Sequence, residues 1–185
     1  MSRKGIFVWL VLPVLVLFAE GAQAVCSSTP CPSTSGAGAI NATIMGPVTV
    51  ASSANLSFGT IVRPATSAGN GTVTISATAA NSRSFTGSGL GLGAATAVNR
   101  AQFTVTGEGA SSVGISTPAT LSLTSGGNSL TVTLVRNPST SPQTLGGSAG
   151  SDGTTTIYVG GSFPLTNATV AGAYTGSLTL TASYQ

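Results

Sequence analysis

Few side chains in this sequence are suited to acid–base or nucleophilic chemistry. Histidine is absent, and the one lysine is Lys4. Serine and threonine are plentiful, but a serine hydroxyl becomes a nucleophile only beside a general base. Beyond position 4 there is neither histidine nor lysine, so neither a Ser-His-Asp nor a Ser-Lys arrangement can be assembled, and Cys-His catalysis fails for the same reason. Two carboxylates remain after residue 24, Glu108 in "GEG" and Asp152 in "SDG". A carboxylate pair is the minimum for glycoside hydrolysis. Both acids, however, stand in glycine-rich runs, where acids commonly serve as solvated turn formers. The sequence reads as a non-enzyme with no catalytic residue.

Binding chemistry is equally sparse. Cys26 and Cys31 lie in "VCSSTPCPSTSG". Two thiols without histidine cannot complete a four-ligand zinc site within one chain. After export a local disulfide between them is expected. Whether that bridge would lie within or between chains stays open. Gly87-Ser-Gly89-Leu-Gly91-Leu-Gly93 has neither the G-x-G-x-x-G spacing nor a phosphate-binding lysine, and reads as a loop or bulged edge. No cofactor is implied. Arg63, Arg83, Arg100 and Arg136 face two carboxylates after residue 24, a net charge of +2. They are scattered, so there is no basic run for nucleic acid. Asn41, Asn55, Asn70 and Asn167 match the glycosylation sequon by chance in a threonine-rich chain, and no function is assigned to them.

The elements that must carry whatever function remains are strands. Arg3 and Lys4, the apolar stretch 6–19 and Ala22-Gln23-Ala24 form a secretory signal peptide, residues 1–24. The apolar stretch is short of the ~20 residues that a spanning helix needs. The chain is thus expected to be exported through the Sec pathway to the periplasm, cell surface or medium, with no membrane span in the mature chain. Residues 25–38 form a flexible Cys/Ser/Pro/Gly leader. Residues 39–185 then alternate apolar and hydroxylated positions in short runs: Ile40-Ala42-Ile44, Val48-Val50, "ANLSFGTIV" at 54–62, "GNGTVTISAT" at 69–78 opening on an Asn-Gly turn signal, and "AQFTVT" at 101–106. Residues 121–124 and 130–135 form a hairpin candidate across Gly126-Gly127-Asn128. "SRSFTGSGLGLGAA" reads as irregular. No 3.6-residue stripe and no internal repeat appear. The expectation is a single all-β domain, an Ig-like antiparallel sandwich.

The last fourteen residues, "GAYTGSLTLTASYQ", form the clearest strand. Tyr174, Gly176, Leu178, Leu180, Ala182 and Tyr184 share one face, and residues 175–183 put Ser or Thr on the other. A final strand without a successor leaves an open edge, which aggregates unless it is covered. A strand donated by another copy is one cover. Ile40, Ala42 and Ile44 in "GAINATIM" have the alternation a donor needs and follow the leader. Donor and acceptor at opposite ends of one chain make a head-to-tail contact that does not close.

The ending, with Gly172 and Tyr184 bracketing an alternating strand, resembles the terminal motif of chaperone–usher pilus subunits. The order of signal peptide, donor strand and "LSFGTIV" resembles those pilins and the spore coat U-type domains. Across the mature chain, "NLSFGTIV", "AQFTVTG", "SLTVTL", "IYVGG" and "AGAYTGSLTLTASYQ" are similar to the bacterial secreted domain-of-unknown-function family 4402. The pilin resemblance implies a fimbrial or surface-fibre subunit whose partners are copies of itself or a periplasmic chaperone. In it Ile40, Ala42 and Ile44 are donor knobs, and Gly172, Tyr174, Leu178, Leu180 and Tyr184 belong to the acceptor strand. The pilin disulfide joins two sandwich strands, whereas both cysteines here precede the domain. The alternative is a self-complete monomeric adhesion or ligand-binding sandwich, with a ligand patch in the 87–93 loop. Fold alone does not choose between them.

Overall fold

The computed structural model describes residues 36–65, 69–88, 91–92 and 97–185, with 91–92 described as backbone alone. The chain divides into two units, Met1–Ala42 and Thr43–Gln185. The described part of the first, residues 36–42, has no regular secondary structure. The second is built of strands: β1 (Thr49–Ala54), β2 (Ile61–Val62), β3 (Asn70–Ile75), β4 (Arg83–Gly87), β5 (Gly91–Leu92), β6 (Ala101–Glu108), β7 (Ser112–Ser116), β8 (Thr120–Ser125), β9 (Asn128–Asn137), β10 (Gln143–Thr144), β11 (Asp152–Thr166) and β12 (Thr181–Tyr184).

The architecture is the all-β antiparallel sandwich that the alternation predicts. One seven-stranded sheet runs β1-β6-β11-β3-β4, with β9 also on β11 and β8 on β9; β10-β7-β12 form a second, and β2-β5 a short ribbon. β11 organises the large sheet. Its first half pairs β6, from Asp152 opposite Glu108 to Val159 opposite Ala101, and its second half pairs β3, from Gly161 opposite Ile75 to Thr166 opposite Asn70. Residues 158–162 pair β9 on the other edge.

Period-two burial explains why these segments are strands. In β6, Ala101, Phe103, Val105 and Gly107 are buried while Gln102, Thr104, Thr106 and Glu108 are half-exposed. Val113 and Ile115 of β7, Val132 and Leu134 of β9, and Ile157 and Val159 of β11 join the same core cluster. Each fully buried side chain of this size stabilises by about 1.5–3 kcal/mol. No polar or charged side chain is buried among the described residues, so the hydroxyl-bearing faces all meet solvent or half-exposed surface.

The expected hairpin is β8–β9, closed by Gly126 and Gly127 at φ 52° and 84°. Positive φ at both central positions is the primed turn whose twist matches paired strands. Elsewhere local signals yield to the ladder. Asn70-Gly71 lies inside β3, because Gly71 pairs Leu165 on one edge and Gly87 on the other. Arg83–Gly87, at the start of a glycine-rich run, is also a strand: its ladder to β3 and the packing of Phe85 against the core outweigh glycine's preference for irregular backbone. At the C-terminal end only Thr181–Tyr184 joins a ladder, opposite Ser116–Val113. No helix among the described residues is long and apolar enough to cross a membrane.

Candidate functional site

One concavity is an apolar groove of about 1130 Å³. Its floor comes from the core strands: Phe103 of β6, Leu121 and Leu123 of β8, Leu130 and Val132 of β9, and Phe163 and Leu165 of β11. Phe163 is buried and meets the Phe58 ring edge-on, with centroids 4.8 Å apart. Two extended segments form the walls. Residues 54–63 run along one side and residues 169–178 along the other.

Both walls are poor in main-chain partners. In residues 55–60, the Ser57 N–H and carbonyl pair with Asn99 at 2.8 and 3.0 Å. In the second wall, Thr175 pairs with Thr124 of β8 at 3.1 and 2.8 Å, and residues 176–180 make no main-chain hydrogen bond among the described residues. That wall runs close to β8. A Cβ at Gly172 would fall 2.4 Å from Ser125 Oγ, and one at Gly176 would fall 2.8 Å from a Leu123 methyl and 2.9 Å from the Ser122 carbonyl. At Gly172 the atom in the way of a side chain is the Ser125 hydroxyl, and at Gly176 it is β8 itself. Tyr174 donates its hydroxyl to the Val170 carbonyl at 2.9 Å and steadies the turn into the wall.

Side-chain clamps replace the missing ladder. Arg83 Nη1 donates to the carbonyls of Phe58 and Thr60 at 2.6 and 2.9 Å, holding the first wall. Arg63 Nη1 donates to Asn167 and Thr169 at 3.2 and 2.7 Å and joins the two walls at one end of the groove. At the other end the Tyr184 hydroxyl donates to the Gly46 carbonyl at 2.8 Å and accepts from the Glu108 N–H at 2.6 Å. Tyr184 lies over Gly107, where a Cβ would come within 2.6 Å of the phenolic oxygen. The other two arginines also bind carbonyls: Arg100 that of Ala77 while stacking on Tyr158, and Arg136 those of Ile115, Pro138 and Ser139. Nothing in the local sequence marks an arginine for a carbonyl about a hundred positions away. Abundant carbonyls with few carboxylates are the one hint.

The residues singled out from sequence take different places. Gly172, Tyr174 and Leu178 line the groove. Leu180 is buried in the core, and Tyr184 sits beyond the groove at the Gly46 clamp. Ile40 is 97% exposed and Ile44 93% exposed, and Ala42 is exposed as well. Cys26, Cys31, the signal peptide and the leader up to residue 35 lie outside the described residues, as do residues 89–90 and 93 of the glycine-rich loop. Glu108 and Asp152 are register partners across β6 and β11, and the Glu108 carboxylate accepts from the Gly150 N–H.

A profile of DUF4402, a domain of unknown function, matches residues 48–184. The chain belongs to the DUF4402 family. The DUF4402 match takes in both walls, the floor and Tyr184, and begins after Ile40–Ile44 and after Gly46, the carbonyl partner of Tyr184. Comparison with curated proteins found no match, and comparison with solved structures found none either.

Proposed function

We propose that this DUF4402 chain is a non-enzymatic exported structural protein, a fimbrial or surface-fibre subunit that assembles by strand donation. Residues 38–44 of one copy lie in the groove of the next. The observation that carries this reading is a long apolar groove, walled by segments that make few main-chain hydrogen bonds, in a chain that also holds a fully exposed alternating apolar segment. An extended strand satisfies both needs at once: its main chain pairs with the walls and its alternate side chains fill the floor. Ile40, Ala42 and Ile44 are the knobs. Before assembly, a periplasmic chaperone that lends a strand would cover the same groove.

The test is size and unfolding of the exported chain with and without residues 25–45. The full chain is expected to form ladders that resist mild denaturant. The truncated chain is expected to be destabilised until a peptide spanning Gly38–Ile44 is added. A full chain that stays monomeric at all concentrations, and a truncated chain indifferent to the peptide, would overturn the reading in favour of a self-complete binding module.

A further inference from the structure

This inference rests on the strand-donation reading and asks where the body of the donating copy sits. The longer segments that contain the walls, residues 46–63 and 167–184, are tied to each other at both ends and therefore run in opposite directions. Gly46 is held by Tyr184 at one end, and Arg63 holds Asn167 and Thr169 at the other. Only Met45 separates the last donor knob, Ile44, from the clamped Gly46. Two extended residues reach about 7 Å. The body of a donating copy therefore has to lie against whichever groove end receives its Ile44.

The Tyr184 end is already taken. Each acceptor's own Met45–Pro47 passes there, held at Gly46, and leads to its own donor segment. The Arg63 end carries an exposed apolar pair instead. Val62 is 54% exposed and Val170 is 48% exposed; each borders the groove and each is the sequence neighbour of a clamped residue, Arg63 or Thr169. Charge points the same way. β11 spans about 46 Å at the usual rise per residue. Asp152 starts it opposite Glu108, whose N–H binds Tyr184, and Thr166 ends it next to Asn167, a carbonyl partner of Arg63. Both carboxylates of the described chain thus sit at the Tyr184 end, with Arg63 at the opposite end.

We propose that the Arg63 end of the groove is the docking seat for the body of the next copy, with Val62 and Val170 covered by its Met45 and its acidic Glu108–Asp152 end facing Arg63. The donor then runs antiparallel to residues 172–180 and alongside residues 54–62 in the same direction. The contact is heterologous and repeats without closing.

The test uses the full exported chain. In a Cys26→Ser, Cys31→Ser background, Met45→Cys with Val170→Cys is expected to give polymers that oxidation links covalently from copy to copy. Asp152→Lys is expected to slow polymerisation several-fold at low salt, with the difference vanishing at high salt, as a rim charge that steers encounter does. As control, a Gly38–Met45 peptide is titrated into the full chain carrying Ile40→Asp and Ile44→Asp, and Asp152→Lys should leave its capture unchanged. If the peptide is captured and polymers form, but no cross-link appears and Asp152→Lys has no effect, the seat is wrong and strand donation stands. If the peptide is not captured, both fall.

Discussion

The Tyr184 hydroxyl and the Gly46 carbonyl meet at 2.8 Å, joining positions 138 residues apart. The same oxygen accepts the Glu108 N–H at 2.6 Å. One side chain therefore fixes where the N-terminal segment leaves the sandwich and satisfies the end of β6.

Tyr184→Phe keeps the ring over Gly107 and removes both bonds. Leaving a part-buried N–H and carbonyl unpaired costs about 1–3 kcal/mol. The urea midpoint should fall with an unchanged m-value, since the surface exposed on unfolding is the same.

Ile44→Asp separates folding from assembly. Ile44 touches almost nothing in its own domain, being 93% exposed. Stability should stay within about 0.5 kcal/mol of wild type, as for other surface changes, and export should persist. Polymers should be lost, because a carboxylate would enter an apolar groove without a partner. Normal ladders from this variant on a denaturing gel would remove Ile44 from the donor.

Phe163→Ala tests whether the groove floor also belongs to the core. Phe163 is buried and packs edge-on against Phe58 of the first wall. The loss should be about 3–5 kcal/mol, read as a fall in thermal midpoint. Leu178→Ala, on the half-buried second wall, should cost clearly less, because part of its surface already faces solvent.

Gly127→Ala should destabilise the β8–β9 hairpin by about 1–2 kcal/mol, the penalty of a left-handed conformation for an L side chain; Gly127 has φ 84°. Gly126→Asn should be nearly neutral, since asparagine accepts φ 52° in such a turn. Chemical denaturation of the two variants side by side distinguishes turn geometry from loop composition.

What could be read from the sequence was what depends on near neighbours. Alternation in "AQFTVT" marks a strand buried on one face, and β6 has that burial. Gly126-Gly127 marks a turn, and both residues are left-handed. Of the face shared by Tyr174, Gly176, Leu178, Leu180, Ala182 and Tyr184, all but the exposed Gly176 are at least half-buried. That face, however, did not reveal that the ladder covers only the last four residues of the run, because alternation records burial and says nothing of hydrogen-bond partners. Arg63 and Arg83 are scattered charges along the sequence, whereas in the fold they hold the groove walls. Their targets, Asn167, Thr169, Phe58 and Thr60, are set by the topology of the sandwich. Asn70-Gly71 shows the reverse error: a strong local preference overridden by a strand paired on both edges.

β11 has a kinetic consequence. Among the described residues it is the one strand hydrogen-bonded to β6, β3 and β9 alike, and it pairs Asn70 with Thr166 across most of the domain. Contacts this distant in sequence close slowly. Until residues 152–166 are in place, three strands lack the edge that aligns them, and their apolar faces stand open to other chains. Misassembly in that interval competes with folding. The rate at which β11 docks therefore governs how much of this chain reaches its native sandwich, and substitutions that slow its docking should lower yield even when the finished fold is as stable as before.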